Sequence, residues 1–109
     1  MKKYKNIEPF TVIDSKEYVS HSKNKISSKA ILNTENIEMR FFSASKGEDI
    51  DKEIYPEETL FFCLEGKLKI TFKEKDEITL NAGEMFVIEE STLYGIMALE
   101  DTKYFNILV

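Results

Sequence analysis

The segment KLKITF, residues 67–72, alternates strictly: Leu68, Ile70 and Phe72 fall on one side, and Lys67, Lys69 and Thr71 on the other. A strand turns successive side chains to opposite faces, whereas a helix repeats every 3.6 residues, so this segment fits only a half-buried strand. The same habit runs along most of the chain. KISSKAIL (25–32) and NIEMRFFSA (36–44) are separated by a polar stretch, and in the second Ile37, Met39 and Phe41 share one face while Glu38 and Arg40 share the other. ASKGED breaks the run with a turn glycine. TLFFCLEG and KLKITF then meet at Glu65-Gly66, which reads as a tight hairpin. KEKDE is a charged turn, EITL a short strand and NAG another turn, before EMFVI, YGIMAL and TKYFNILV close the series. Helical periodicity is almost absent; Asp14 followed by Glu17 caps no more than one short helical turn. Short strands separated by turn signals predict an all-β sandwich or barrel over residues 25–109, with residues 1–24 as an arm packed on it.

Composition removes several function classes. A chain of 109 residues forms one domain, and 42% hydrophobic residues with eight phenylalanines among them suffice for a core. Twenty acidic against 15 basic residues give a net charge of -5, which repels duplex nucleic acid unless a basic stripe compensates. The lysines are scattered among glutamates, so no nucleic-acid partner is expected. The start MKKYKN leads into polar sequence and not into the apolar core of a signal peptide. The longest apolar run, LFFCL, is far too short to span a bilayer. With a single cysteine no intramolecular disulfide can form. The expectation is a soluble, cytoplasmic protein with no membrane partner.

Two stretches carry a resemblance. In the first, Gly47 is followed by EDIDK, then Glu53, Ile54 and Tyr55, PEE, Thr59, LFFCLE and Gly66. In the second, Gly83 is followed by EMFVI, Glu89, Glu90, Ser91, TL, Tyr94, GIM and Ala98. Their glycines and strand rhythm resemble the two motifs of the cupin family, small double-stranded β-helix (jelly-roll) barrels. The resemblance implies that fold for nearly the whole chain, and a homodimer that covers exposed sheet edges. In metal-binding cupins two histidines and a glutamate of the first motif, with a histidine of the second, hold a divalent cation. The matching positions here are Glu53, Tyr55, Thr59 and Tyr94. Tyrosine and threonine hydroxyls resist deprotonation at neutral pH and are poor ligands. The one histidine, His21, lies outside both motifs, so the metal site is expected to be degenerate, with no metal and no cofactor.

The candidate ligand pocket comprises Glu53, Tyr55, Thr59, Phe61, Cys63 and Tyr94. Cys63 alternates with Phe61 and Thr59 and so faces the interior, where a thiol with no base beside it is structural rather than nucleophilic. Phe41, Phe61, Phe72 and Phe86 are of a kind to line a binding cavity, but core packing is the default for such residues. Glu53, Glu57 and Glu58 beside Pro56 read as a solvated acidic turn sooner than as an oxygen-only cation site. Two functions follow. One is a metal-free barrel that binds a small molecule or serves as a structural unit. The other is a metal-independent isomerase or epimerase with Glu53 as base and Tyr55 or Tyr94 as acid. For either, Glu53 and one of these tyrosines form the titratable pair of the pocket.

Overall fold

The structure, a computed structural model, describes residues 3–73 and 77–109. Nine strands follow one another: β1 (Ile26–Asn33), β2 (Glu38–Ala44), β3 (Asp49–Tyr55), β4 (Thr59–Glu65), β5 (Lys67–Phe72), β6 (Ile78–Asn81), β7 (Met85–Ile88), β8 (Thr92–Ala98) and β9 (Thr102–Leu108). They form a five-stranded sheet in the order β1-β2-β9-β4-β7 and a four-stranded sheet in the order β3-β8-β5-β6, with every pairing antiparallel. The all-β double-stranded helix expected from the sequence is what the chain forms. The core lies between the sheets, where Phe61, Cys63, Leu68, Ile70, Leu80, Ile88, Ile96 and Tyr104 meet. In KLKITF the dry face, Leu68 and Ile70, is fully buried there.

Two sequence expectations are corrected. The Glu65-Gly66 reversal is not a hairpin, because β4 pairs with β7 and β9 in one sheet while β5 pairs with β6 and β8 in the other. Gly66 is therefore a corner where the chain crosses between sheets. It sits at φ +85°, and a Cβ there would lie 2.4 Å from the Asp101 carbonyl oxygen, so only glycine fits. Of the acidic residues expected in a turn beside Pro56, Glu57 and Glu58 do lie in the link between β3 and β4, but Glu53 sits on β3, Asp49–Tyr55, an edge strand paired with β8. Its outward positions are solvated, so its sequence shows no alternation. The turn expected at KEKDE includes residues 74–76, which lie outside the described residues.

The arm makes a hydrogen-bonded turn rather than a helix at Asp14, whose carboxylate accepts from the Lys16 amide at 2.9 Å. It is tied to β1 by a bridge from Tyr4 to Leu32 and by the Asn6 side-chain amide donating to the Ala30 carbonyl at 2.7 Å. Tyr18 and Val19 bury against Ile31 with Met39 and Phe41, and Tyr18 meets Phe41 edge-on at 5.2 Å. This second cluster lies on the outer face of the five-stranded sheet. It decides what the inner face of β2 carries: Met39 and Phe41 face the arm, so Glu38, Arg40 and Phe42 turn into the barrel.

Candidate functional site

Between the sheets lies a cavity of about 230 Å³. The five-stranded sheet supplies Glu38, Arg40 and Phe42 from β2, Phe61 from β4, and Tyr104, Asn106 and Leu108 from β9; the other supplies Ile50 and Tyr55 from β3 and Tyr94, Gly95 and Ile96 from β8. Gly95 is small for a reason. A Cβ there would stand 2.8 Å from the Ile50 carbonyl oxygen and 3.0 Å from the Lys52 amide nitrogen, at the irregularity in β3 between Ile50 and Glu53.

Five aromatic rings line the wall. Phe42 stacks on Tyr104 with centroids 4.6 Å apart and planes 7° apart. Phe61 reaches Tyr104 at 5.9 Å and meets Tyr94 edge-on at 5.7 Å, and Tyr94 lies 4.8 Å from Tyr55. The spacings are those of offset and edge-to-face pairs, which fix ring orientation as well as burying area.

The three tyrosine hydroxyls differ in how they are satisfied. Tyr55 donates to Glu53 Oε2 at 3.1 Å. Burial, reinforced by that bond and by the Glu53 charge, pushes its pKa up to about 12. Tyr94 is hydrogen-bonded to Thr59 Oγ1 at 3.4 Å, and burial raises its pKa, opposed in part because the Thr59 hydroxyl can also donate to the phenolate. Tyr104 is wholly buried and its hydroxyl has no partner among the described residues; burial, with Tyr55 and Tyr94 nearby, holds it protonated far above the ordinary phenol range. Asn106 Oδ1 is likewise buried and unpartnered among the described residues. Of the three such side-chain atoms, only Ser43 Oγ belongs to a residue outside the cavity lining. At the rim Arg40 Nη2 lies 3.8 Å from Glu38 Oε1, and Nη1 donates to Ser28 Oγ at 3.0 Å.

Of the residues expected in the pocket, Tyr55, Phe61 and Tyr94 line the cavity. Glu53 pairs with Tyr55 but is exposed beyond the lining, not sunk in an apolar barrel. Thr59 and Cys63 are fully buried and lie outside the lining. Thr59 serves as the acceptor for Tyr94. The Cys63 thiol faces the Glu65 and Gly66 carbonyls at 3.6 and 3.7 Å, and burial raises its pKa, so it is a poor nucleophile. His21 is exposed beside Asp101 at 3.7 Å. Phe41 packs under the arm, and Phe72 and Phe86 lie 6.3 Å apart against the core. Sequence reasoning missed Glu38, Arg40, Tyr104 and Asn106.

The four positions that match cupin metal ligands do not suit a divalent ion. Two are tyrosines with raised pKa values, one is a buried threonine already engaged by Tyr94, and one is a lone carboxylate. Among the described residues no group of three or more His, Cys, Asp or Glu side chains could hold a metal. No described helix is long and apolar enough to cross a membrane.

No family model and no curated protein matches the sequence. Solved structures do. A conserved protein of unknown function from Streptococcus pyogenes superposes with a TM-score of 0.95 at 21% identity, over 100% of this chain and 95% of that one. A cupin superfamily protein from Desulfitobacterium hafniense gives 0.93 at 21%, over 99% and 98%. A cupin 2 conserved barrel domain protein from Leptotrichia buccalis gives 0.89 at 25%, with 98% of this chain spanning 50% of that one. Strand order, sheet pairing and these neighbours together show that the chain has the double-stranded β-helix barrel fold of cupin proteins.

Proposed function

We propose that this barrel binds one small organic molecule between its sheets, without a metal, in the cytoplasm. The observation that carries the reading is the cavity of about 230 Å³ between the sheets, walled by five aromatic rings with Glu38 and Arg40 at its rim. A barrel that serves only as scaffold gains nothing from leaving such a space unfilled, since its lining forfeits packing contacts. The cytoplasmic setting rests on the lone thiol of Cys63. Native mass spectrometry of tag-free protein, with elemental analysis of the same sample, tests the reading. One organic molecule per chain and no stoichiometric metal is the expected result. Stoichiometric metal, or a bare chain that takes up no small cyclic amide or alcohol, contradicts it.

The alternative, an isomerase or epimerase using Glu53 with Tyr55 or Tyr94, has one observation in its favour: the Tyr55–Glu53 hydrogen bond beside the cavity. Against it, a tyrosine pushed up to about 12 is a weak general acid at neutral pH. Binding is the better-supported function. For the partner, we propose a second copy of the chain. Strand β7 is an open sheet edge whose Met85 and Val87 are 61% and 53% exposed, and pairing with its own two-fold copy removes that liability. Val87→Lys is expected to halve the sedimenting mass; an unchanged mass would place the interface elsewhere.

A further inference from the structure

We propose that two copies of the chain dock on the outer faces of their five-stranded sheets, each covering the bare half of its partner's sheet with the tip of its arm. The inference rests on the second copy proposed above and places it against the face of β7 rather than along its edge. A row of aromatic rings crosses that outer face. Tyr18 of the arm lies 5.2 Å from Phe41 of β2, Phe41 lies 5.0 Å from Phe105 of β9, and Phe105 lies 5.2 Å from Phe62 of β4. The register then sets Met85 beside Phe62 and Val87 beside Leu60, both on β7. The arm covers only the β1–β2 end of this face, through Tyr18 and Val19 on Ile31, Met39 and Phe41. At the other end Met85 and Val87 stay exposed, and Leu60 and Phe62 are only half-buried.

The arm holds a matching excess. Ile7 and Ile13 border a small hollow over Ile31 and Phe41, whereas Phe10 and Val12 between them are fully exposed. Phe10 stands at φ +59°, a left-handed conformation that costs about 1–2 kcal/mol, and its ring gains no burial in return. One half of the face therefore carries a raised apolar tip and the other a bare apolar recess. A two-fold axis along the strands, through β9, reverses the strand order of one copy against the other, so each arm falls on its partner's bare half. An axis across the strands would set arm on arm and leave the bare halves facing over a gap. The area agrees with a stable dimer. Phe10, Val12, Met85 and Val87 together expose roughly 500 Å² of apolar surface per chain. A standard interface takes about 800 Å² from each partner, a little over half of it apolar.

Cross-linking of the full chain tests the contact. Cys63, the only cysteine, is wholly buried, so introduced cysteines are the accessible thiols. A mixture of the single variants Val12→Cys and Val87→Cys is expected to give a covalent dimer with a short bismaleimide, and neither variant is expected to do so alone. Phe10→Asp is expected to weaken the dimer at least about a hundredfold in sedimentation, because two rings per dimer lose their burial. Its urea midpoint, read where both proteins are monomers, is expected to be unchanged. Cross-linking of Val87→Cys by itself would set two β7 strands side by side and overturn the face contact while keeping the two-copy reading. A dimer untouched by Phe10→Asp would overturn it equally. Pelleting of the wild type with phosphatidylglycerol vesicles, lost in Phe10→Asp, would overturn it in favour of a lipid surface. A wild type that sediments as a monomer at every concentration would refute the two-copy reading itself.

Discussion

Replacing Tyr104 with phenylalanine removes one oxygen from the most buried aromatic of the barrel. In most cores that change is destabilising, because the lost hydroxyl was hydrogen-bonded. Here the hydroxyl has no partner among the described residues, and the ring is held by other contacts: the stack on Phe42 at 4.6 Å and the approach to Phe61 at 5.9 Å. Phenylalanine keeps both. The tyrosine bears the desolvation of an unsatisfied hydroxyl, about 1–3 kcal/mol, and the variant is relieved of it. A small loss of packing at the vacated oxygen takes some of that back. Tyr104→Phe is therefore expected to stabilise the ligand-free protein by about 1 kcal/mol, read as a higher urea midpoint with an unchanged slope. Destabilisation by 1 kcal/mol or more would refute the reasoning, because it would mean that the hydroxyl is satisfied in the folded state.

Other perturbations probe the fold and the electrostatics. Tyr55 has a folded pKa raised from 10.0 to about 12, and Tyr94 and Tyr104 shift the same way. A raised pKa favours the protonated form in the folded state, so this stability is fully present below pH 10 and is lost as pH rises from there through the folded values. Alkaline unfolding followed by tyrosinate absorbance should show these rings ionising together with unfolding, and early reversible ionisation of the native state would contradict the burial. Gly66→Ala puts a Cβ against the Asp101 carbonyl at φ +85°, and a loss of about 3 kcal/mol or more in thermal or urea melts is expected. Thr102→Val deletes the buried hydroxyl that accepts from the Lys67 amide at 3.1 Å beside the same corner. A cost of about 1–2 kcal/mol is expected in urea melts, and no change would mean that the corner is held by its backbone alone.

Legibility from sequence followed burial. Strands with one wet and one dry face, such as KLKITF, were plain, and so were the closing strands. β3 was not, because Asp51, Lys52, Glu53 and Ile54 are all exposed on an edge strand and leave no period-two signal. The reversal at Gly66 was visible, but its partners were not: which sheet β5 joins depends on pairings with β6 and β8 that lie far along the chain. In the site, Tyr55 and Tyr94 came from the resemblance to cupin motifs and Phe61 from its alternation with Thr59 and Cys63. Glu38 and Arg40 were hidden for a physical reason. An alternating strand tells its two faces apart, and the polar one is ordinarily assigned to solvent. Here the arm covers Met39 and Phe41, so both faces of β2 are occupied and the polar face turns inward. Tyr104 and Asn106 share this masking, since Phe105 lies on the outer face stacked on Phe62 at 5.2 Å. The available signal was the density of apolar residues on both faces of KYFNIL, which marks a strand covered on both sides.

The central claim is that the space between the sheets is a binding site for one small organic molecule. A crystal structure of the protein soaked with a single-ring probe such as benzamide tests it most directly. The account predicts one molecule in the cavity, its ring against Phe61 and Tyr94. A cavity closed by inward movement of Phe61 and Ile96, or benzamide bound only on the outer surface, would contradict it.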